Sequence, residues 1–177
     1  MKQYTVIDSP YDLLTLVADD GVLCGLYMTD QRHRPPEESF GEPDDGPFGE
    51  AVDQLEAYFT GELKEFTVPL RLHGTPFQRT VWDQLRKIPY GETRSYGELA
   101  TALGNPGASR AVGLANGKNP VGIIVPCHRV ISAGGSLTGY GGGLPRKRRL
   151  LDFERGTARR PEEWGSHSTG ATGGKRL

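Results

Sequence analysis

Charge is segregated along this 177-residue chain, and the segregation divides it before any motif is read. Residues 1–69 hold 4 Lys and Arg against 15 Asp and Glu, a net −11. Residues 70–156 hold 13 against 5, a net +8, and residues 157–177 hold 4 against 2, a net +2. The formal total of −1 therefore conceals an acidic first part and a basic second part. Such asymmetry predicts two domains with different partners, although solvated faces of opposite sign would also produce it. The expected division is an N-terminal α/β unit over 1–69, a basic unit over 70–156 and a disordered tail over 157–177. A near-neutral total argues against nucleic-acid binding, whereas the basic part alone is compatible with it. No run of 18 apolar residues occurs, which excludes a membrane-spanning helix. The first residues, MKQYTVIDSPYD, lack the basic and apolar regions of a secretory signal. Cys24 and Cys127 then read as reduced thiols, and the expected compartment is the cytoplasm.

Local patterns fill in both parts. Tyr4–Ile7, Leu13–Val17 and Val22–Met28 read as strands, with Asp19-Asp20-Gly21 as a hairpin turn. Residues 30–47 are rich in Pro, Gly and charge and read as a loop. Phe48, Val52, Leu55 and Phe59 recur at helical spacing up to Gly61, and Glu65–Leu72 reads as a strand. In the second part Thr75 is a candidate N-cap with Pro76 in the first turn. Phe77, Val81, Leu85 and Ile88 would form that helix's buried face. Ser95-Tyr96-Gly97-Glu98 has the capping-box form. A short helix from there, the Gly104-Asn105-Pro106 turn and a small-residue helix to Asn116-Gly117 make a helix-turn-helix pattern, which an ordinary helical corner would match as well. Val121–Val125 is a buried strand or extended chain, and residues 134–143 form a loop with six glycines in ten. Pro145–Glu154 is a helix with a basic start, Arg146 to Arg149, expected as an exposed face.

The stretch with most chemistry is Pro126-Cys127-His128-Arg129-Val130. A nucleophilic cysteine must become a thiolate, which needs a base or a positive charge beside it. His128 and Arg129 are candidates for both tasks. A lone cysteine is more often a buried structural residue, and adjacent residues in an extended segment point to opposite sides.

These five residues resemble the active-site motif of the O6-alkylguanine-DNA alkyltransferases, also called methylated-DNA–protein-cysteine methyltransferases. The resemblance extends, in order, through Tyr90–Tyr96, Gly104–Pro106, Ser109–Gly113, Asn119-Pro120, Leu137–Gly143 and Leu150–Glu154. It implies an α+β fold: a small ribonuclease-H-like α/β domain followed by a mostly helical, winged-helix-like DNA-binding domain with a helix-turn-helix. It implies direct-reversal DNA repair, in which Cys127 takes the alkyl group from O6-alkylguanine in duplex DNA, once per molecule. O4-alkylthymine is a further candidate substrate.

The resemblance also assigns roles. His128 would accept the thiol proton, and Glu154 would orient His128. Tyr96 would donate to O6, and Asn119 would brace the active-site turn. The target base must be flipped out of the duplex to be reached. Arg110 would fill the gap it leaves, with Asn105 and Ser109 beside it on a helix in the minor groove. Arg129, Val130, Tyr140 and Gly141 would serve DNA or base binding. The alkyl group comes from the DNA, so no cofactor and no S-adenosylmethionine are implied. The expected partner is double-stranded DNA and the expected state a monomer, with cooperative binding left open. Cys24 and His33 do not make a metal cluster, and no metal is expected. A non-catalytic binder of damaged DNA, or a thiol hydrolase or redox sensor using Cys127 and His128, are the competing readings.

Overall fold

The computed structural model describes residues 1–156, and the tail expected over 157–177 lies outside the described residues. The acidic part builds a four-stranded sheet in the order β3-β2-β1-β4. β1 (Lys2–Ile7), β2 (Leu14–Asp19) and β3 (Val22–Met28) form an antiparallel meander. Asp20 and Gly21, at φ 49° and 81°, make the tight turn that a two-residue hairpin needs. Central β2 is buried on both faces. Leu14, Leu16 and Ala18 face the main core, while Val17 meets Cys24 and Phe40 on the other side.

Two expectations for this part are corrected. Residues 30–47 are more than a loop: 3-10 turns at Glu37–Phe40 and Gly46–Phe48 flank β4 (Glu42–Pro43), which pairs parallel to β1. Two residues, one of them proline, carry no alternation that a sequence could reveal. Glu65–Leu72 is not a strand and makes a single bridge, Leu23 to Leu70, at the edge of β3. The side chain of Gln54 accepts the Thr67 and Val68 amides, which replaces ladder bonds there. α1 (Gly49–Phe59) buries Ala51, Leu55, Tyr58 and Phe59.

α2 (Pro76–Leu85) starts on a capping box between Thr75 and Gln78. Its buried residues are Val81, Trp82 and Leu85, while Phe77 stays 39% exposed in the first turn. Trp82 is the anchor instead, its indole nitrogen donating to the Ala115 carbonyl at 2.9 Å. β5 (Arg94–Ser95) pairs parallel with β6 (Val130–Ile131) and feeds α3 (Tyr96–Ala102) through the Ser95–Glu98 capping box. A 3-10 turn at Pro106–Ala108 leads into α4 (Ser109–Gly117), which packs on α2 and α3. α5 (Leu144–Arg155) closes the described chain, capped by Gly156 in the left-handed region. One apolar core runs through both charge halves, from Leu16 and Phe59 through Trp82 and Leu99 to Val125, Leu150 and Phe153. Among the described residues no helix is long and apolar enough to cross a membrane.

Candidate active site

Cys127 is delivered by a tight turn, not by a strand or an extended run. The Ile124 amide donates to the Gly122 carbonyl at 2.7 Å, Val125 to Val121 at 3.0 Å, and Cys127 to Val125 at 2.8 Å. Ile123 adopts φ 68°, a region that β-branched residues avoid. Such strain persists only where surroundings over-determine it. Asn119 supplies that constraint, donating to the Val125 carbonyl at 2.8 Å and accepting the Val121 amide at 3.0 Å. Asn116 adds a weaker bond from its amide to the Cys127 carbonyl at 3.4 Å.

Beyond the turn, Cys127–Arg129 form one 3-10 turn, and all three are buried. His128 presents Nε2 to Glu154 Oε2 at 2.7 Å. Its other ring nitrogen, Nδ1, is buried without a hydrogen-bond partner in the protein. The guanidinium of Arg129 grips the same carboxylate, Nε to Oε1 at 2.7 Å and Nη2 to Oε2 at 3.0 Å. Its remaining nitrogen donates to the Ile88 carbonyl at 2.7 Å. Arg129 was expected to touch DNA. It lies inside, with its donors spent on positioning, because the 3-10 turn sends it toward α5 and the end of α2.

Burial alone would raise the Glu154 carboxyl, but His128, then Arg129, outweigh it and hold it well below the usual carboxylate range. Burial pushes the Cys127 thiol up, opposed by a hydrogen bond from Asn119 and the charge of Lys147. Lys147 is fully buried and Arg146 half-buried, which corrects the expectation of an exposed face at those two positions, while Arg148 and Arg149 are exposed as expected. Arg146 pairs with Asp12 at 2.8 Å, and Arg149 lies over the Tyr11 ring. α5 therefore turns Arg146 and Arg149 toward the segment between β1 and β2.

A small cavity borders Cys127, lined by Asn119, Tyr140 and Gly141 together with Gln31 of the N-terminal part. It measures about 10 Å³, room for one water and far short of a purine. The Tyr96 hydroxyl lies at the edge of the glycine-rich loop, donating to the Thr138 carbonyl at 3.2 Å. Val130 is buried behind the turn in β6.

Arg110 is exposed on α4, as is Asn105 at the preceding turn, while Ser109 is half-buried. Asn105 holds the cap position, but its side chain makes no capping bond. The structure thus gathers Cys127, His128, Glu154, Asn119 and Tyr140 at one place and leaves Arg110 on the outer face of the helix-turn-helix. Gln31, Tyr58 and Asn116 join the site without having been singled out from the sequence, and Lys147 joins it from a stretch read as an exposed face.

Comparison with known proteins agrees with this layout. Residues 2–72 match the family described as 6-O-methylguanine DNA methyltransferase, ribonuclease-like domain, and residues 76–156 match its DNA binding domain. The chain belongs to the 6-O-methylguanine DNA methyltransferase family. A methylated-DNA–protein-cysteine methyltransferase of Mycobacterium tuberculosis is 59% identical over 158 residues, covering 89% of this chain and 95% of the relative. One of Methanosarcina acetivorans is 51% identical over 152 residues, covering 85% and 97%. The crystal structure of Mycobacterium tuberculosis OGT in complex with DNA superposes with TM-score 0.84 at 59% identity, covering 88% of this chain and 94% of that one. The methyltransferase family thus accounts for both halves of the molecule, the sheet with α1 and the helix-turn-helix.

Proposed function

We propose that this protein repairs O6-alkylguanine in duplex DNA by moving the alkyl group to Cys127, one group per molecule. The observation that carries it is the buried Cys127 next to the His128–Glu154 pair, at a 2.7 Å hydrogen bond, in a chain of this family. Residues 1–69 act as the supporting part and 70–156 carry the chemistry.

The base is extruded from the stack and brought to Cys127, and the cavity there has to widen to admit it. The His128 Nδ1 atom takes the thiol proton through a water, while Glu154 holds the ring by Nε2 and balances its charge. The thiolate attacks the alkyl carbon opposite O6. A carbon–sulfur bond forms, the carbon–oxygen bond breaks, and its electron pair goes to O6. Tyr96 donates a hydrogen bond to that oxygen, and the proton that His128 took from the thiol is returned through solvent to the guanine anion, which leaves ordinary guanine and neutral His128. Asn119 holds the turn so that sulfur and carbon meet in line. Tyr140, Gly141 and the backbone near Val130 frame the base. No methyl donor enters the scheme, because the alkyl group arrives on the DNA.

Arg110 occupies the gap left by the base, with Asn105 and Ser109 near the phosphates, and α4 lies in the minor groove. The small residues Gly107, Ala111 and Gly113 let that helix approach closely. The groove's degenerate pattern suits a protein that accepts any flanking sequence. The protein acts as a monomer in the cytoplasm, where Cys24 and Cys127, both free, stay reduced.

Incubation with duplex DNA containing O6-methylguanine, followed by intact and peptide mass, tests the reading. One added methyl on the Cys127 peptide is expected, and none with Cys127→Ser, which still binds the DNA. Repair in cells that survives Cys127→Ser overturns it in favour of a binding role.

A further inference from the structure

The buried carboxylate of Glu154 has a partner from the other half of the chain. The Tyr58 hydroxyl, on α1, donates to Glu154 Oε2 at 2.5 Å across 96 residues of sequence. This is the same oxygen that holds His128 Nε2 at 2.7 Å and Arg129 Nη2 at 3.0 Å. Tyr58 is fully buried, with Phe59, Phe66, Tyr90 and Phe153 around its ring at centroid distances of 5.3 to 6.1 Å. A hydroxyl in that setting must hydrogen-bond, and burial with the nearby Glu154 charge holds it protonated as a donor.

We propose that Tyr58 is a positioning residue for alkyl transfer, through which the N-terminal part completes the proton-accepting unit. Three donors on one oxygen fix the carboxylate in rotation, and the carboxylate fixes the His128 ring. Removing one of them has two separable effects. The carboxylate gains freedom to turn, and its negative charge is spread over fewer donors. The second effect leaves more of the carboxylate's charge on its bond to His128 Nε2. Other titratable or charged groups facing the carboxylate are Arg129 on the active-site turn and, at longer range, Tyr11 and Tyr140.

The inference rests on the alkyl-transfer reading, so its test carries an arm independent of DNA chemistry. Tyr58→Phe keeps the ring and removes the hydroxyl. Rates of Cys127 methylation by O6-methylguanine duplex, and of Cys127 alkylation by iodoacetamide, are measured across pH for wild type, Tyr58→Phe, Glu154→Gln and the double variant. Tyr58→Phe should transfer about tenfold more slowly at neutral pH, a fraction of what general acid–base catalysis supplies. Its acid limb should move to higher pH in both reactions, with DNA affinity unchanged. On the Glu154→Gln background the substitution should do nothing more. A Tyr58→Phe protein that is merely less stable, with both pH profiles unmoved, overturns the proposal. So does an equal loss in both backgrounds. Should wild type take no methyl from DNA, the functional reading fails, and the iodoacetamide profiles still decide the role of Tyr58.

Discussion

The Lys147 ammonium lies 2.5 Å from the Val130 carbonyl oxygen and 2.7 Å from that of Thr138. It thereby ties the end of the active-site turn to the middle of the glycine-rich loop. Thr138 offers the same carbonyl to the Tyr96 hydroxyl. One cation thus links the turn that carries Cys127, the glycine-rich loop and the Tyr96 hydroxyl.

Lys147→Met preserves volume and removes the tie, leaving carbonyls unpaired. The expected cost is about 2 kcal/mol of stability, with slower transfer from DNA. Burial lowers the Lys147 ammonium from 10.5 to about 8. Between those values the unfolded chain holds a proton that the folded chain has shed, so wild-type stability climbs with pH there. The variant should lack that climb. Urea midpoints at about pH 7.5 and about pH 9.5 check it.

Glu154→Gln leaves Arg129 and His128 facing a neutral amide. The loss at neutral pH should be about 3 kcal/mol, as for a buried pair broken from one side. The folded carboxyl titrates below its unfolded value of 4.5. Its stabilising contribution is therefore complete above that value and fades as pH falls below it. The stability gap between wild type and variant should narrow in acid, and denaturation at two pH values measures it.

Gly142 has no room for a side chain, since a Cβ there would lie 2.5 Å from Met28 Sδ and 2.7 Å from the Tyr140 ring. Gly142→Ala should displace Tyr140 at a cost of about 1–3 kcal/mol, the range for overpacking. Methyl transfer per folded molecule should fall, and mass-monitored kinetics would show it.

Gln31 closes the cavity beside Cys127 from the N-terminal side, its carbonyl oxygen accepting the Met28 amide at 2.9 Å and its neighbour Arg32 donating to Gly141 at 2.8 Å. Gln31→Ala should expose the thiol. Faster reaction of Cys127 with a soluble disulfide reagent is the expected result, and an unchanged rate would show that Gln31 does not limit access.

Arg110 is exposed, so its removal should spare the fold. Arg110→Ala should slow transfer from duplex DNA at least tenfold, since the cost of flipping is a few kcal/mol. Transfer from a free O6-alkylguanine base should be unaffected. Comparing the two substrates isolates the step at which Arg110 acts.

The parts legible in the sequence were those written in local code. The capping residues Thr75 and Ser95, the Asp20-Gly21 turn and the helical spacing ending at Phe59 all marked their elements. The cysteine motif and the segments around it identified the family. What escaped reading depended on contacts distant in sequence. β4 exists because two residues lie beside β1, and the turn at Ile123 exists because Asn119 clasps it. Arg129 and Lys147 look like surface cations by type, yet each is drawn inward by oxygens supplied elsewhere. Tyr58 falls outside the apolar spacing of its helix, and nothing in its neighbourhood announces a carboxylate 96 positions away.

On the proposed reading the protein is consumed by its one reaction, so it has to last until that reaction comes. Cys127 is 7% exposed, and burial keeps its thiol in the protonated form. Peroxides and disulfides attack the thiolate and need access to it. On that reading the same tight packing that leaves no space for a base also keeps oxidants from the unspent thiol, and the opening that admits the base ends that protection.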